Sequence, residues 1–425
     1  MKIMDEKTRE DLLTLFRSKL NRAMTLYLET CSRCGVCFEA CHVYASRPHD
    51  VKGIPAYRAE VVRRIYKKYF KPQGRIMPHL GESRELSEMA LEELSEAAWS
   101  CTGCRRCVVF CPFGIDTQML MSVAKLLLIG AGTEPEILTL LADTSVEKGK
   151  SLDLYKEGFM ASVRDLEAEV VERWKIEAGE AGTVIPLGKE GADILYVGLA
   201  GAHSILPTAA VFNQARENWT LSFFEAVNFG AFVGDPGKTQ LILDRIVNEA
   251  RRLKVKEVAI CECGTAFRIM KAMAADQPFK VSSITEVHAR YLKEGRIKVD
   301  KTRFAGIPVT YHDPCQLARN AGVMDEPRYI LSQIADDFRE MTKDPKYNWC
   351  CGGGGGLVAQ GEDTLDFRMK SSSVKVDQVK GTKATLLATA CENCHTQLSD
   401  LNAHYKMGVD VKFLSAMVAD AMIVS

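Results

Sequence analysis

The sequence predicts a chain of mixed α+β and α/β class, in which a helical, cysteine-rich N-terminal domain precedes a duplicated α/β domain. Three observations lead to this prediction. Two regular cysteine runs lie within residues 30–125, after a segment with helical spacing of apolar residues. From about residue 186, short apolar runs alternate with segments of helical length, a pattern typical of parallel sheets covered by helices. The order of strands and motifs in residues 186–300 then repeats in residues 301–425.

Length and composition are those of an ordinary globular protein with two or three domains. The chain has 425 residues, of which 47% are hydrophobic and 26% are charged. Basic and acidic residues balance at 55 each, so the charge does not point to nucleic acid as a partner. The sequence has no run of about 18 apolar residues and its first residues form no apolar signal core, so we expect a cytoplasmic protein.

The N-terminal part of the chain is predicted to be helical. Leu12, Phe16, Leu20 and Met24 recur at helical spacing, which predicts an N-terminal helix over residues 1–29. Residues 126–185 are predicted to be a helical connector, interrupted by glycine and proline.

The two cysteine runs share one spacing, that of bacterial two-cluster ferredoxins. They consist of Cys31, Cys34, Cys37 and Cys41, and of Cys101, Cys104, Cys107 and Cys111. Three closely spaced thiolates wrap one corner of a cubane 4Fe–4S cluster, and the fourth ligates the other cluster. We therefore expect Cys111 to complete the first cluster and Cys41 to complete the second. Pro112 follows the second run, whereas His42 follows the first. Zinc knuckles are the alternative, but zinc sites rarely use this spacing.

The α/β part carries apolar runs that predict buried strands at 194–197, 258–260, 309–311 and 384–390, with a helix over 241–253. A lone Cys315 lies 35 positions before Cys350, and Leu199 lies 35 positions before Gly234. This spacing suggests two copies of one unit, the first of which has lost most of its cysteines. The segment that follows Gly234 resembles the tail of a phosphate-binding loop, but Phe232 replaces the earlier glycine, which argues against ATP binding.

Five cysteines of the second copy form another candidate metal site: Cys315, Cys350, Cys351, Cys391 and Cys394. Five thiolates exceed the four ligands of a structural zinc and suit an iron–sulfur cluster of unusual connectivity. Gly352, Gly353 and Gly354 follow the adjacent pair, where glycine lets the backbone approach a cluster and offer N–H groups to its sulfurs. A flexible linker and a phosphate loop are the alternatives for this glycine run, but it begins with two cysteines and no Gly-Lys-Ser/Thr follows.

Two further features near these motifs have open interpretations. Cys261 and Cys263 are a vestige of the first copy's CxxC, a part of the C-terminal site, or buried structural cysteines. His312 lies three residues before Cys315 and is the best candidate for delivering a proton, although a histidine beside a metal site is more often a hydrogen-bonding neighbour.

At these motifs the chain resembles the D subunit of heterodisulfide reductase. It is more similar to the K subunit of the Dsr complex and the B subunit of the Tmc complex of sulfate reducers, through His312-Asp313-Pro314-Cys315, Trp349-Cys350-Cys351-Gly352 and Glu262-Cys263-Gly264. The resemblance covers residues 30–425 and implies a two-cluster ferredoxin-like domain followed by a duplicated, CCG-type cysteine-rich domain. Heterodisulfide reductase has two complete five-cysteine units. Because the first is degenerate here, the resemblance implies two cubane 4Fe–4S clusters and one noncubane 4Fe–4S cluster.

The resemblance also implies boundaries for the domains. These are an N-terminal helix at 1–29, the two-cluster domain at 30–125, a connector at 126–185, a degenerate α/β unit at 186–300 and a second unit with the noncubane cluster at 301–425.

The function implied is that of a cytoplasmic catalytic subunit held on the inner face of the membrane by partner subunits. A membrane cytochrome b that handles quinol and a small sulfur-carrier protein with C-terminal cysteines are the implied partners. The implied substrate is a thiol, disulfide or trisulfide, with the five cysteines and His312 as candidate catalytic residues. The alternative is a pure electron-transfer subunit, like the iron–sulfur subunits of glycolate and glycerol-3-phosphate dehydrogenases. The substrate and the direction of electron flow stay open.

Overall fold

The computed structural model describes residues 4–77, 82–176, 183–199 and 201–424. The chain divides into two compact units, each built from three separate segments. The helical unit consists of Met1–Ala142, Phe229–Thr239 and Trp349–Asp377. The sheet unit consists of Asp143–Asn228, Gln240–Asn348 and Gln378–Ser425.

The first part of the chain contains helices and no strands among its described residues. The helices are α1 (Glu6–Lys19), α2 (Arg22–Glu29), α3 (Cys37–Ala40), α4 (His42–Ser46), α5 (Pro55–Phe70), α6 (Pro72–Ile76), α7 (Glu88–Trp99), α8 (Arg106–Phe110), α9 (Thr117–Gly130), α10 (Glu136–Lys150) and α11 (Leu152–Trp174). The stretch predicted to form the N-terminal helix contains two helices, α1 and α2. The first helix ends there because Leu20 leaves the helical conformation (ψ 68°). Asn21 then caps α2, since its side-chain oxygen accepts a hydrogen bond from the N–H of Met24 at 2.9 Å.

Apolar side chains of α1, α5, α7 and α9 form the core of the helical unit. Phe16, Val62, Leu94 and Leu120 are each fully buried in it. The first cysteine run lies between α2 and α4, and the second run between α7 and α9. The core therefore holds the helices that flank both runs, while the cysteines themselves stand largely on the connecting loops.

The rest of the chain alternates strands and helices. The first copy contains β1 (Ile194–Val197), α12 (Ala202–Gln214), β2 (Trp219–Leu221), α13 (Phe229–Val233), α14 (Pro236–Arg252), β3 (Glu257–Ile260), α15 (Gly264–Met273), β4 (Lys280–Ser283) and α16 (Ile284–Lys293). The second contains β5 (Val309–His312), α17 (Asp325–Ile334), β6 (Phe338–Arg339), α18 (Leu365–Lys370), α19 (Ser373–Thr382), β7 (Leu386–Thr389), α20 (Glu392–Tyr405), β8 (Asp410–Phe413) and α21 (Leu414–Ala421). Short 3-10 segments lie at Val51–Gly53, Lys301–Phe304, Pro345–Tyr347 and Val358–Thr364.

The strands of the described residues form two parallel sheets with the same topology. The first sheet has the order β2-β1-β3-β4 and the second has the order β6-β5-β7-β8. The registers also correspond, because Val197 pairs with Ile260 at the end of the first central pair and His312 pairs with Thr389 at the end of the second. The predicted fold class, a helical domain followed by a duplicated α/β domain, is confirmed.

Across the described ranges, no helix combines the length and the apolar character that crossing a membrane requires.

Candidate iron–sulfur centres

The first group of thiols in the helical unit combines cysteines of both runs. Burial raises the pKa of Cys37 to about 11, and the negative charges of Cys31 and Cys111 nearby add to the rise. Cys34, from the same run as Cys37, is exposed. The fourth cysteine of the second run thus lies beside the first run, as crossed ligation requires.

The second group of thiols has the reciprocal composition. Burial raises the pKa of Cys107, and Cys104, Cys101 and Cys41 lie close enough to raise it further. Arg58 is buried against this group and donates to the Sγ of Cys41 at 3.8 Å. Burial alone lowers the pKa of Arg58, but the neighbouring thiolates outweigh it, so the guanidinium stays charged. A fixed cation at this place offsets part of the negative charge of a thiolate-bound cluster.

The chemistry of these groups fits iron–sulfur clusters. None of the fifteen cysteines, all of them within the described residues, is in a disulfide. Buried thiols with raised pKa values stay protonated unless a neighbouring cation stabilises the thiolate, and a bound metal supplies that charge.

The segment that begins at Trp349 belongs to the helical unit and packs on its second cysteine run. The guanidinium carbon of Arg106 lies 3.5 Å from the centroid of the Trp349 ring. Arg106 also donates to the carbonyl oxygen of Ala40 at 2.9 Å. One side chain therefore joins the second run, the end of the first run and the residue before the adjacent cysteine pair. A planar guanidinium suits this role because it stacks and donates at once.

The glycines after the cysteine pair donate to its sulfurs. The N–H of Gly352 lies 3.4 Å from the Sγ of Cys350, and the N–H of Gly353 lies 3.5 Å from the Sγ of Cys351. Gly352 has a φ of +99°, a conformation that favours glycine. Backbone donors of this kind stabilise thiolates at the place where the sequence predicted them.

The next glycines allow the loop to approach the backbone of the second run. A Cβ atom on Gly354 would lie 2.7 Å from the carbonyl oxygen of Thr102, and one on Gly355 would lie 2.5 Å from that of Cys101. The Cys350 thiol meets the Thr102 hydroxyl at 3.5 Å. Both glycines are therefore required by contact with the candidate ligand loop.

Lys125 holds this arrangement from α9. Its Nζ donates to the carbonyl oxygens of Phe232 at 2.7 Å and Gly355 at 2.9 Å, and lies 4.1 Å from the centroid of the Trp99 ring. Burial lowers the pKa of Lys125 to about 7, an effect that the Cys101 thiolate partly offsets. Sequence reasoning missed this residue, although a lysine within the apolar stretch of α9 is a visible signal.

His42 lies at the meeting point of the two candidate ligand sets in the helical unit. One of its ring nitrogens, the Sγ of Cys104 and the Sγ of Cys350 all lie within 4.8 Å of one another. Cys104 belongs to the second run and Cys350 to the five-cysteine set, so the helical unit brings one candidate ligand of each site together.

The sheet unit holds the other three cysteines of the set at the carboxyl ends of β5 and β7. Cys315 follows β5, Cys391 directly precedes α20 and Cys394 lies in the first turn of that helix. A ring nitrogen of His312 and the Sγ of Cys394 lie within 4.8 Å of each other. Hydrogen bonding from Cys394, and from backbone N–H groups that include Gly264, lowers the pKa of Cys391 despite its burial. Cys391 therefore ionises more readily than an unperturbed cysteine does.

The degenerate copy contributes a second helix start to the same edge of the sheet unit. Cys263 precedes α15 as Cys391 precedes α20, and its pKa is raised to about 12 by burial and by the charge of Cys391. The N–H of Glu392 donates to the carbonyl oxygen of Glu262 at 2.7 Å. Counted from the two helix starts, Cys263 corresponds to Cys391 and Ala266 to Cys394. Cys261, which is buried directly after β3, corresponds in that alignment to Thr389 and not to a cysteine.

Asp313 lies within the motif His312-Asp313-Pro314-Cys315, and sequence reasoning gave it no role of its own. Arg328 binds both of its carboxylate oxygens at 2.9 Å, and the buried carboxylate is 2% exposed. The Asp313 and Glu340 carboxylates hold the pKa of Arg328 above its ordinary value although burial opposes them. This ion pair anchors the turn between His312 and Cys315, which restricts the orientation of both side chains.

Two family models match the chain. The model of a 4Fe-4S dicluster domain matches residues 27–115, and the model of a cysteine-rich domain, CCG, matches residues 309–399. The first range contains both cysteine runs, and the second contains the complete five-cysteine set.

Curated relatives match nearly the whole chain. The Hdr-like menaquinol oxidoreductase iron-sulfur subunit 2 of Archaeoglobus fulgidus is 29% identical over 99% of this chain and 85% of its own length. The D subunit of the Dihydromethanophenazine:CoB–CoM heterodisulfide reductase of Methanosarcina barkeri is 28% identical over 95% of this chain and 96% of its own length. The EtfAB:quinone oxidoreductase of Syntrophomonas wolfei is 24% identical over 88% of this chain and 55% of its own length. The dicluster domain, the CCG domain and these relatives together identify the chain as an iron–sulfur protein of the oxidoreductase class that is similar to the D subunit of heterodisulfide reductase.

Proposed function

We propose that the chain is the catalytic iron–sulfur subunit of a membrane-associated redox complex, which exchanges electrons between a membrane cytochrome b or quinone partner and a thiol, disulfide or trisulfide substrate. The names of the relatives support the two ends of this reaction, since one is a menaquinol oxidoreductase subunit and another a heterodisulfide reductase subunit. A disulfide takes up two electrons and two protons and yields two thiols, whereas a trisulfide with the same two electrons and two protons yields one thiol and one persulfide. The observation that carries the proposal is the position of Cys350 beside Cys104, because it joins the five-cysteine set to the dicluster cysteines.

The proposed ligands follow the crossed pattern. The first cubane takes Cys31, Cys34, Cys37 and Cys111, the second takes Cys101, Cys104, Cys107 and Cys41, and the noncubane cluster takes Cys315, Cys350, Cys351, Cys391 and Cys394. When bound, the cubanes supply one-electron carriers and the noncubane cluster supplies a centre for sulfur–sulfur chemistry. Arg58 balances charge at the second cubane, and the N–H groups of Gly352 and Gly353 donate to the sulfurs of the cysteine pair. Gly354 is proposed to give the backbone access to the site.

His312 is the proposed proton donor. It is buried at the end of β5, and a ring nitrogen lies within 4.8 Å of the Sγ of Cys394. An imidazole at this distance is placed to hold or release a proton beside a thiol-bearing site.

The proposed domains are those of the sequence motifs: 1–29, 30–125, 126–185, 186–300 and 301–425. They differ from the two compact units because Trp349–Asp377, within the last domain, packs in the helical unit. The proposed location is the inner face of the cytoplasmic membrane, reached through a cytochrome b subunit, with a small cysteine-tailed sulfur-carrier protein as the other partner. Co-purification of the chain with a haem-containing membrane subunit tests this assignment.

The second candidate function is pure electron transfer, and one observation favours it. All five side chains of the set are buried, with exposures between 2% and 8%. A cluster held by five buried cysteines would transfer electrons without substrate chemistry if no substrate could reach it.

A spectroscopic experiment on the cluster-loaded complex separates the two functions. We expect added dithiols to change the EPR signal of the oxidised five-cysteine site, because a substrate sulfur reaches the metal centre. The signal should respond in the same way in Cys261→Ser, which alters a buried cysteine outside the set, and should be lost in Cys391→Ser. A signal that every tested dithiol leaves unchanged would support the relay function instead.

The crossed ligation has its own test. Cys37→Ser and Cys111→Ser, although far apart in sequence, should remove the same cubane signal, and Cys41→Ser should remove the other. Loss of the same signal in Cys37→Ser and Cys41→Ser would show that each run binds its own cluster.

A further inference from the structure

His42 stands at a position where the backbone accepts proline. It is the first residue of α4, a position at which proline is favoured, and it corresponds to Pro112 after the second run. Cys41, the residue before it, is extended (φ −92°, ψ 120°), the conformation that a residue before proline prefers. The backbone therefore gives no reason for histidine here, and the reason has to be sought in the side chain.

The surroundings of the two equivalent positions differ. Pro112 is exposed, whereas His42 is 3% exposed. One ring nitrogen of His42 lies within 4.8 Å of the Sγ atoms of both Cys104 and Cys350. Its Nδ1 has no hydrogen-bond partner among the described residues. A buried polar nitrogen without a partner is destabilising, and the sulfurs of Cys104 and Cys350 are polar atoms that the structure places near this ring.

We propose that His42 is a positioning residue that donates a ring N–H to the sulfur of Cys104 and thereby raises the reduction potential of the second cubane. Hydrogen bonds to ligand sulfurs withdraw negative charge from the thiolate and favour the reduced, more negative cluster. The inference rests on the proposed ligation of that cubane by Cys104. It gives a role to His42, which replaces the proline that follows the last cysteine in the ferredoxin pattern.

The test uses the full-length, cluster-loaded protein and three variants at one position. His42→Pro and His42→Phe remove the ring N–H, and proline also fits the observed backbone. His42→Gln retains a side-chain N–H donor. His49→Gln is the matched control, because His49 is an exposed histidine in the same region. The measurements are the midpoint potential of each cubane in an EPR-monitored redox titration, together with the iron and sulfide content.

We expect the potential of the second cubane to shift negative in His42→Pro and His42→Phe, and to return toward the wild-type value in His42→Gln. The first cubane and the His49→Gln control should keep their potentials, and the iron content should not change. An unchanged potential in a fully loaded His42→Pro protein overturns the inference. Loss of one cluster's iron in all three variants overturns it as well, since His42 would then be a ligand or a structural residue. Absence of a second cubane in the wild-type protein overturns the proposed ligation itself.

Discussion

Replacement of Gly355 by alanine tests the packing of the glycine loop on the second cysteine run. In the structure, a Cβ atom on Gly355 would lie 2.5 Å from the carbonyl oxygen of Cys101 and 3.1 Å from the Cα of Thr102. Both neighbours are backbone atoms, so no side-chain rotation relieves the overlap. Either the loop or the backbone of Cys101, a candidate ligand, has to move.

The cost of Gly355→Ala has two parts. Gly355 has a φ of +70°, and a left-handed conformation costs an L-residue about 1–2 kcal/mol. Overpacking of a tightly packed site costs about 1–3 kcal/mol more. We therefore expect Gly355→Ala to lower the free energy of unfolding by about 2–5 kcal/mol, which is the sum of the two costs.

Gly132→Ala is the matched control. Gly132 also belongs to the helical unit and has a φ of +66°, but nothing lies within 4 Å of the place that a Cβ atom would take there. It should show only the backbone cost of about 1–2 kcal/mol. Guanidinium titration of the cluster-loaded proteins, followed by circular dichroism and by visible absorption of the clusters, measures both variants. Equal midpoints for Gly355→Ala and Gly132→Ala would refute the contact between the glycine loop and Cys101.

Three more predictions concern buried charged or titratable groups. Lys125→Met should lower the free energy of unfolding by about 2–5 kcal/mol, because the buried carbonyl groups of Phe232 and Gly355 lose their hydrogen-bond donor. Denaturant titration measures this change. A decrease as small as that caused by replacing an exposed lysine would contradict the prediction. Arg58→Met should shift the potential of the second cubane negative by removing a cation beside Cys41, and a redox titration that shows no shift would show that this charge is not felt. Burial lowers the pKa of His288 to about 3 in the folded protein, whereas a histidine in the unfolded chain has a pKa of about 6.5. Between these two values the unfolded chain binds a proton that the folded protein does not bind. The free energy of unfolding therefore decreases as the pH falls from about 6.5 toward 3. From pH 7 to pH 5 the wild type should therefore lose about 2 kcal/mol more stability than His288→Gln, and parallel pH profiles would contradict this.

The central strands of both sheets could be predicted from the sequence, and the edge strands could not. β1, β3, β5 and β7 are buried along their whole length and therefore appear as apolar runs. The edge strands β4 and β8 mix polar and charged residues with apolar ones, as Lys280–Ser283 and Asp410–Phe413 show. β2 has three residues and β6 has two, which is too short for a periodic signal.

The grouping of the cysteines of the two runs could also be predicted, because their spacing is diagnostic and Cys111 lies beside the first run while Cys41 lies beside the second. The residues that support them could not, because they meet through distant parts of the chain. Lys125 and Gly355 are 230 positions apart, and Thr102 meets Cys350 across 248 positions. No local pattern encodes such a pair. A polar residue within an apolar helix, as at Lys125, is the kind of local hint that remains.

The segmented construction of the helical unit has a consequence for biosynthesis. Its last segment, Trp349–Asp377, is translated long after Met1–Ala142 has left the ribosome. Until then the carbonyl groups of Cys101 and Thr102 lack the glycine loop that covers them in the finished protein. A nascent chain, or Met1–Ala142 expressed by itself, therefore lacks the loop that packs on the backbone of the second cysteine run. The packing around that run is complete only once most of the polypeptide has been made.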